Sequence, residues 1–304
     1  MIFRDVIMEF KEYKKSFVKP TTYSAYMTTI KNHIEPYFGD FENTIHEKEL
    51  QKFVLLKSQR YSKRYVKDVV TTLKTILKFA RKNDIFEYPE YNIEYPNNFD
   101  AKEMITLTKD QCVVLKSHLM DNFSFRNLGI LIALTTGVRI GEICGLRWGD
   151  INFETKTIRI QRTVQRIVVN HDGKLDRGKN TKLHIGSAKT KTSNRTIPLD
   201  NDVVKIAKSL NNIVSNDNYI VSNSVNPIDS RVFREYQKRL FAKLNLPKLR
   251  FHDIRHTFAT ICIQNKVDIK TVSSILGHSD VSITLNTYTH PSIDDKRSAI
   301  NNLF

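Results

Sequence analysis

This chain is short of three things: cysteine, long apolar runs and acid. Cys112, Cys144 and Cys262 are its only cysteines, far apart and without a Cys-x-x-Cys pair. Such a sparse, odd set argues against a disulfide framework and against a structural zinc site. All three are expected to be small buried hydrophobes in a reducing cytosol. No apolar run approaches the roughly 18 residues that a membrane-spanning helix needs. Asp5 stands where a signal peptide would carry its apolar stretch. A cytoplasmic protein without a membrane partner is expected. The shortage of acid points further. Against 48 Lys and Arg there are 32 Asp and Glu, leaving a formal charge of +16. That excess calls for a polyanionic partner, and with no membrane signal the partner expected is nucleic acid.

What is there is enough for two domains: 304 residues, of which 40% are hydrophobic and 26% charged. The first hundred residues read as helices. Thr21 or Thr22 can cap a segment whose Tyr23, Tyr26, Met27, Ile30, Ile34 and Tyr37 share a face, closed by Gly39. A second helix starts near Ser62, burying Val66, Val69, Val70, Leu73, Ile76, Leu77 and Ala80. Its other face carries Arg64, Lys67, Lys74, Lys78, Arg81 and Lys82, either a solvated face or one turned to DNA. Pro89, Pro96, Asn97 and Asn98 then break all periodicity, which marks a domain boundary. The division expected is a helical domain over 1–95, a linker over 96–106 and a second domain over 107–304. Thr108 with Gln111 forms a capping box, and the apolar run from Leu128 to Thr136 predicts a buried helix. Between Ile151 and Leu199 the pattern turns extended. Thr157 to Arg162 alternates, Arg195 to Leu199 ends a later strand, and a polar insert from Asn170 to Lys182 turns at Asp172-Gly173. Helical patterns return after that. No internal repeat or low-complexity tract is present.

Four separated pieces can converge on one phosphate. In Thr136-Gly137-Val138-Arg139-Ile140-Gly141-Glu142, Glu142 lies about one turn after Arg139 and can pair with it to orient the guanidinium. Taken alone, that is an ordinary surface ion pair. Lys189-Thr190-Lys191-Thr192-Ser193-Asn194-Arg195 reads as a basic hairpin turn suited to gripping phosphate. His252 and Arg255, three apart, share a helix face. Gly277-His278 and Tyr288 follow. Any one histidine or tyrosine is more often structural than catalytic; here they occur together, and in a basic chain. Tyrosine is a weak nucleophile that needs a base and a polarised target. His256 and His290 are set aside as structural or secondary, and Trp148 as a core residue.

In this order the pieces resemble the tyrosine recombinases, the family of phage integrases, Xer recombinases and integrases of conjugative transposons. Thr136 through Trp148 looks like the family's first arginine box. Lys189-Thr190-Lys191 through Arg195-Thr196-Ile197-Pro198-Leu199 looks like its lysine hairpin. His252-Asp253-Ile254-Arg255-His256-Thr257-Phe258-Ala259 is similar to its His-x-x-Arg box, and Leu276-Gly277-His278-Ser279 with Asn286-Thr287-Tyr288-Thr289-His290 completes the set. The resemblance is strong over about residues 105 to 292 and weaker over the N-terminal helices, which look like the core-binding domain. It implies a mainly α fold with a small antiparallel sheet, a helical SAM-like core-binding domain and a mixed α/β catalytic domain. It also implies roles. Tyr288 attacks the scissile phosphate, giving a 3′-phosphotyrosyl link and a free 5′-hydroxyl. Arg139 and Arg255 hold the non-bridging oxygens, and His278 donates a further bond. His252 accepts the tyrosine's proton, and Glu142 supports the arginine. Lys189 protonates the leaving oxygen, with Lys191 as the alternative. No metal and no nucleotide cofactor is called for, because the arginines do the electrostatic work and the covalent link keeps the phosphodiester energy.

The partner implied is double-stranded DNA, held between the two domains with an affinity that falls steeply with salt. A tetramer on two paired sites is implied, with accessory DNA-bending or directionality factors as further partners. The tail around Ile300, Leu303 and Phe304 is expected to dock between neighbours. A helical pattern starting almost at Met1 leaves no room for a separate arm-binding domain, and the polar insert resembles the mobile-element branch. Integration and excision is the leading task. The alternatives are Xer-like dimer resolution, DNA inversion, a type IB topoisomerase and a catalytically idle DNA-binding relative.

Overall fold

A computed structural model describes residues 2–42, 44–86, 91–96, 105–169, 180–187, 194–210, 212–288 and 297. The chain forms two compact units: residues 1–102 with 167–182, and residues 103–166 with 183–304. Apart from the strand residues within 167–182, the first is helical. It runs through α1 (Phe3–Phe17), α2 (Pro20–Thr29), a π-helical turn over Ile30–Ile34, α3 (Glu35–Phe38), α4 (Glu47–Ser58) and α5 (Lys63–Lys82). Its core gathers Phe3, Phe10, Phe38 and Phe53 around Leu73, Ile76 and Leu77 of α5. Each predicted core residue of α5 is buried, and Ser62 caps the helix by accepting from Tyr65 N–H. The segment before it starts earlier than the threonines suggest. Lys19 is the cap residue and Pro20 takes the first helical position, where its missing N–H costs nothing.

The second unit carries α6 (Lys109–Asp121), α7 (Phe125–Thr136), α8 (Ile140–Ile143), a 3-10 turn over Trp148–Asp150, and strands β1 (Ile151–Asn152), β2 (Thr157–Ile160), β3 (Arg162–Val168), β4 (Thr181–Ser187) and β5 (Arg195–Pro198). After them come α9 (Asn201–Leu210), α10 (Ser230–Lys243), α11 (Phe251–Gln264), α12 (Ile269–Leu276) and α13 (Val281–Tyr288). β1, β2 and β5 form an antiparallel sheet in that order, and β3 pairs with β4. The capping box at Thr108 and Gln111 is present with both reciprocal bonds. α7 is buried on nearly every side, as its unbroken apolar run requires. Trp148 lies in the core, with its indole N–H donating to Asn223.

Three expectations change here. The alternating run from Thr157 to Arg162 is not one strand: it breaks at Gln161. The buried carboxylate of Asp150 accepts from Gln161 Nε2 at 2.7 Å and from Arg162 Nη2 at 2.6 and 2.7 Å, which draws the chain away from β2. Thr181 and Lys182, read as the end of a polar insert, belong to β4. Of the cysteines only Cys144 is fully buried, its thiol pushed up to about 12 mainly by burial; Cys112 and Cys262 are half-buried. Most of the 96–106 segment, residues 170–179 of the insert, and His290 lie outside the described residues, as does the tail except for residue 297. Among the described residues no helix is long and apolar enough to cross a membrane.

Candidate active site

Two left-handed glycines build the floor of the site. Gly137 ends α7 at φ +65°, and Gly277 ends α12 at φ +66°. Only glycine adopts this conformation without strain. Here it turns each chain sharply enough to leave a carbonyl for an arginine from elsewhere. Gly137 O accepts from Arg255 Nη1 at 2.9 Å, and Gly277 O accepts from Arg139 Nη2 at 3.3 Å. Leu276 O takes Arg139 Nη1 at 3.4 Å. The first arginine box is thereby tied to the histidine turn, and the second arginine to the first box.

Arg139 caps α8, its own N–H donating to Glu142 Oε2 at 2.9 Å and its Nη1 to Oε1 at 3.0 Å. Its side chain remains 38% exposed. Arg255, by contrast, is 2% exposed. Its Nη2 is buried with no hydrogen-bond partner among the described residues. Burial, the neighbouring Arg139 and then Arg195 push its guanidinium down to about 9, against the opposing pull of Glu142 and Tyr288. A buried donor left unmade costs about 1–3 kcal/mol. A buried cation with an unmade N–H is a place for an anionic oxygen.

Glu142 is the hub beneath the arginines. Arg195, at the start of β5, donates from Nη1 to Oε1 at 3.0 Å and from Nη2 to Oε2 at 2.9 Å, and its Nε reaches Ile275 O at 2.6 Å. Burial alone would raise the Glu142 carboxyl. The bonds and charge of Arg195, joined by Arg139, outweigh it and hold the group below its ordinary value. The sequence places Arg195 in a basic phosphate-gripping turn leading into a strand, and gives it no part in the site. Its signal was available: it lies two before Ile197, so in a strand the two share the core face.

The histidines sit above. His278 follows Gly277, and its Nδ1 is 2.7 Å from the buried hydroxyl of Thr284. His252 projects from the first turn of α11, its ring edge-on to His256 at 4.6 Å between centroids. Both His278 and His252 are pushed down to about 4. Desolvation by crowding comes first, even though His252 keeps an open edge; for His278 the charges of Arg255 and Arg139 follow, and for His252 those of His256, Arg255 and Arg139. They are therefore neutral at neutral pH. Tyr288 ends α13, its ring packed against the buried cluster of Ala259, Val272 and Leu276. Burial raises its phenol, with Arg255 and Arg139 pulling the other way. The predicted Arg139, Glu142, His252, Arg255, His278 and Tyr288 thus come together. Lys189 and Lys191 lie outside the described residues. His256, set aside from the sequence, bonds the Tyr288 hydroxyl through Nδ1 at 2.6 Å. Its position one helical turn beyond His252 was the signal.

No three His, Cys, Asp or Glu side chains among the described residues group as metal ligands. Residues 98–294 match the phage integrase family, and residues 2–55 match its N-terminal SAM-like domain. A tyrosine recombinase XerC-like protein of Caldanaerobacter subterraneus subsp. tengcongensis is 30% identical, covering 94% of this chain and 78% of its own length. The integrase of Staphylococcus phage L54a is 25% identical over 95% of this chain and 89% of its own. Among solved structures, the Tn1549 transposon integrase in complex with a circular intermediate DNA superposes with a TM-score of 0.79 at 21% identity, covering all of both chains. A lambda integrase dimer bound to a core site gives 0.66 at 16% identity, over 97% of this chain and 78% of that one. With the arginine, histidine and tyrosine boxes converging on one site and the family matched over residues 98–294, the chain belongs to the phage integrase family and is a recombinase of the tyrosine type, breaking and rejoining DNA strands.

Proposed function

We propose that this enzyme integrates and excises a mobile element or phage genome by cutting and resealing double-stranded DNA at specific sites. The observation that carries it is the free Nη2 of buried Arg255, set among Arg139, His252, His278 and Tyr288, which sense one another's charge. The scissile phosphate sits there. Arg139 and Arg255 bind its non-bridging oxygens and stabilise the charge that builds at phosphorus. Neutral His278 accepts the Thr284 hydroxyl proton at Nδ1 and so offers Nε2–H to the phosphate. Tyr288 attacks, leaving a 3′-phosphotyrosyl link and a 5′-hydroxyl. Lys189, or Lys191 in its place, protonates that leaving oxygen. A histidine of α11 takes the phenol's proton. Glu142 and Arg195 keep the arginines in register. The chemistry calls for no metal or nucleotide cofactor.

The assembly proposed is a tetramer on two DNA sites in the cytoplasm. A helical domain over 1–95 and a catalytic domain over 107–304 both bind the duplex, and accessory factors set direction. A phage integrase and the transposase of transposon Tn916 among the relatives support the mobile-element task. The XerC-like relative supports a second reading, chromosome dimer resolution. Incubating the protein with a library of nicked suicide duplexes tests both. A covalent adduct is expected, lost in Tyr288→Phe, and the DNA trapped on Tyr288 names the target. A target lying at the junctions of a mobile element supports integration, and one in a chromosomal terminus supports resolution. No adduct at all sinks both. Relaxation of supercoiled plasmid without paired sites would instead mark a type IB topoisomerase.

A further inference from the structure

The resemblance to the tyrosine recombinases implies that the proton of Tyr288 goes to His252, the histidine of the His-x-x-Arg box. The geometry gives it to another. His256 Nδ1 is 2.6 Å from the Tyr288 hydroxyl, with the rings 5.5 Å apart and inclined at 53°. Both groups are uncharged at neutral pH, since burial lowers the imidazole and raises the phenol. Between two neutral partners the phenol donates and an unprotonated ring nitrogen accepts. In the tautomer with its proton on Nε2, His256 offers the Nδ1 lone pair to the phenol O–H. The charges acting on the His256 ring are Asp253, which favours the imidazolium, and Arg250 and Arg255, which oppose it. All three belong to α11 or its N-cap. His252 stands edge-on to the ring, and α13 contributes Tyr288. α7 and α12, which also pack on α11, contribute no charge to that set.

We propose that His256, through Nδ1, accepts the Tyr288 proton during strand cleavage and returns it during rejoining. The proposal rests on Tyr288 being the nucleophile. As the phenol oxygen bonds to phosphorus, its O–H bond breaks and an N–H bond forms at Nδ1. The bond from phosphorus to the 5′-oxygen breaks, and that oxygen takes its proton from the hairpin lysine. In the reverse step the 5′-hydroxyl attacks, its proton passes to the lysine, and the imidazolium of His256 reprotonates the departing tyrosine. Buried Asp253, itself paired with Arg250 at 2.9 Å, moderates the charge that appears on the ring beside Arg255. His252, exposed and farther along the helix face, is then free to touch the phosphate.

The test is single-turnover adduct formation on a nicked suicide duplex, followed from acid to alkaline pH. His256→Asn keeps an acceptor oxygen near the position of Nδ1 but cannot take a proton. Wild type is expected to gain rate as the imidazole deprotonates and then level off. His256→Asn is expected to fall by about 10²–10⁴-fold at neutral pH, lose the plateau and gain rate with hydroxide. A fluorinated tyrosine of lower phenol pKa at position 288 is expected to restore most of that rate, because its phenolate forms unaided. Three results overturn the proposal: an unchanged pH profile in His256→Asn, no rescue by the fluorinated tyrosine while DNA affinity is intact, or loss of the acid limb in His252→Asn and not in His256→Asn. If wild type forms no adduct through Tyr288, the nucleophile assignment itself falls, and the proposal with it.

Discussion

Arg195 and Glu142 form a two-pronged ion pair at 3.0 and 2.9 Å, with the arginine side chain 7% exposed and the glutamate 6%. The pair ties the first residue of β5 to the first arginine box. Buried pairs are poor sources of net stability, yet costly to break from one side, at roughly 3–5 kcal/mol. Glu142→Gln leaves Arg139 and Arg195 without a counter-charge and is expected to cost that much in urea unfolding. Because the folded Glu142 carboxyl is held below its ordinary 4.5, its contribution is complete above that value. It drains away as pH falls through the depressed one. Wild type should therefore lose stability on acidification more steeply than the glutamine variant; parallel pH curves for the two proteins would refute the point.

Arg255 makes one bond to Gly137 O and leaves Nη2 free. A lysine can replace the charge or the carbonyl bond, but not both arms of the planar fork. Arg255→Lys is expected to slow adduct formation roughly 10²–10³-fold, the range for losing one transition-state donor, with DNA affinity nearly unchanged. Single-turnover trapping beside a binding isotherm checks it. A slowed rate matched by an equal loss of affinity would mean that the arm holds ground-state DNA only.

Gly277 at φ +66° has no space for a side chain. A Cβ there would lie 2.9 Å from Arg195 Nη1 and 3.0 Å from Arg195 Cδ. Gly277→Ala is expected to destabilise by about 1–3 kcal/mol from backbone strain. Because Arg195 must move off Glu142, it is also expected to lower the rate of cleavage. Thermal melts and trapping assays on one preparation decide it. A stability loss with full activity would separate the turn from the site.

The proposed mechanism takes the leaving-group proton from Lys189 in preference to Lys191. A substrate with a 5′-bridging phosphorothiolate has a leaving sulfur that needs no proton. Lys189→Ala should be rescued by it, and Lys191→Ala should not. The reverse pattern would transfer the role to Lys191.

Much of this was legible because the relevant signals are local. The capping box at Thr108 and Gln111, the apolar face of α5 and the all-round burial of α7 depend on residues within a turn or two of one another. The positive charge of the chain and the order of the arginine, histidine and tyrosine boxes are likewise properties of the string. The strand break at Gln161 was not legible, because its cause is Asp150, a buried carboxylate that must collect donors from wherever the fold supplies them.

The sequence by itself determined the fold class, the family and the reactive residue types, since periodicity, caps and spaced motifs survive without a third dimension. Only the tertiary structure decided which partner each of those residues has. Arg195 turned inward to Glu142, Arg139 took the carbonyl of Gly277 and Arg255 that of Gly137, and Tyr288 met His256 instead of His252. The reason is physical: these bonds join residues from 32 to 138 positions apart in the chain. Once buried, each donor takes the nearest acceptor in space, which the order of residues does not reveal.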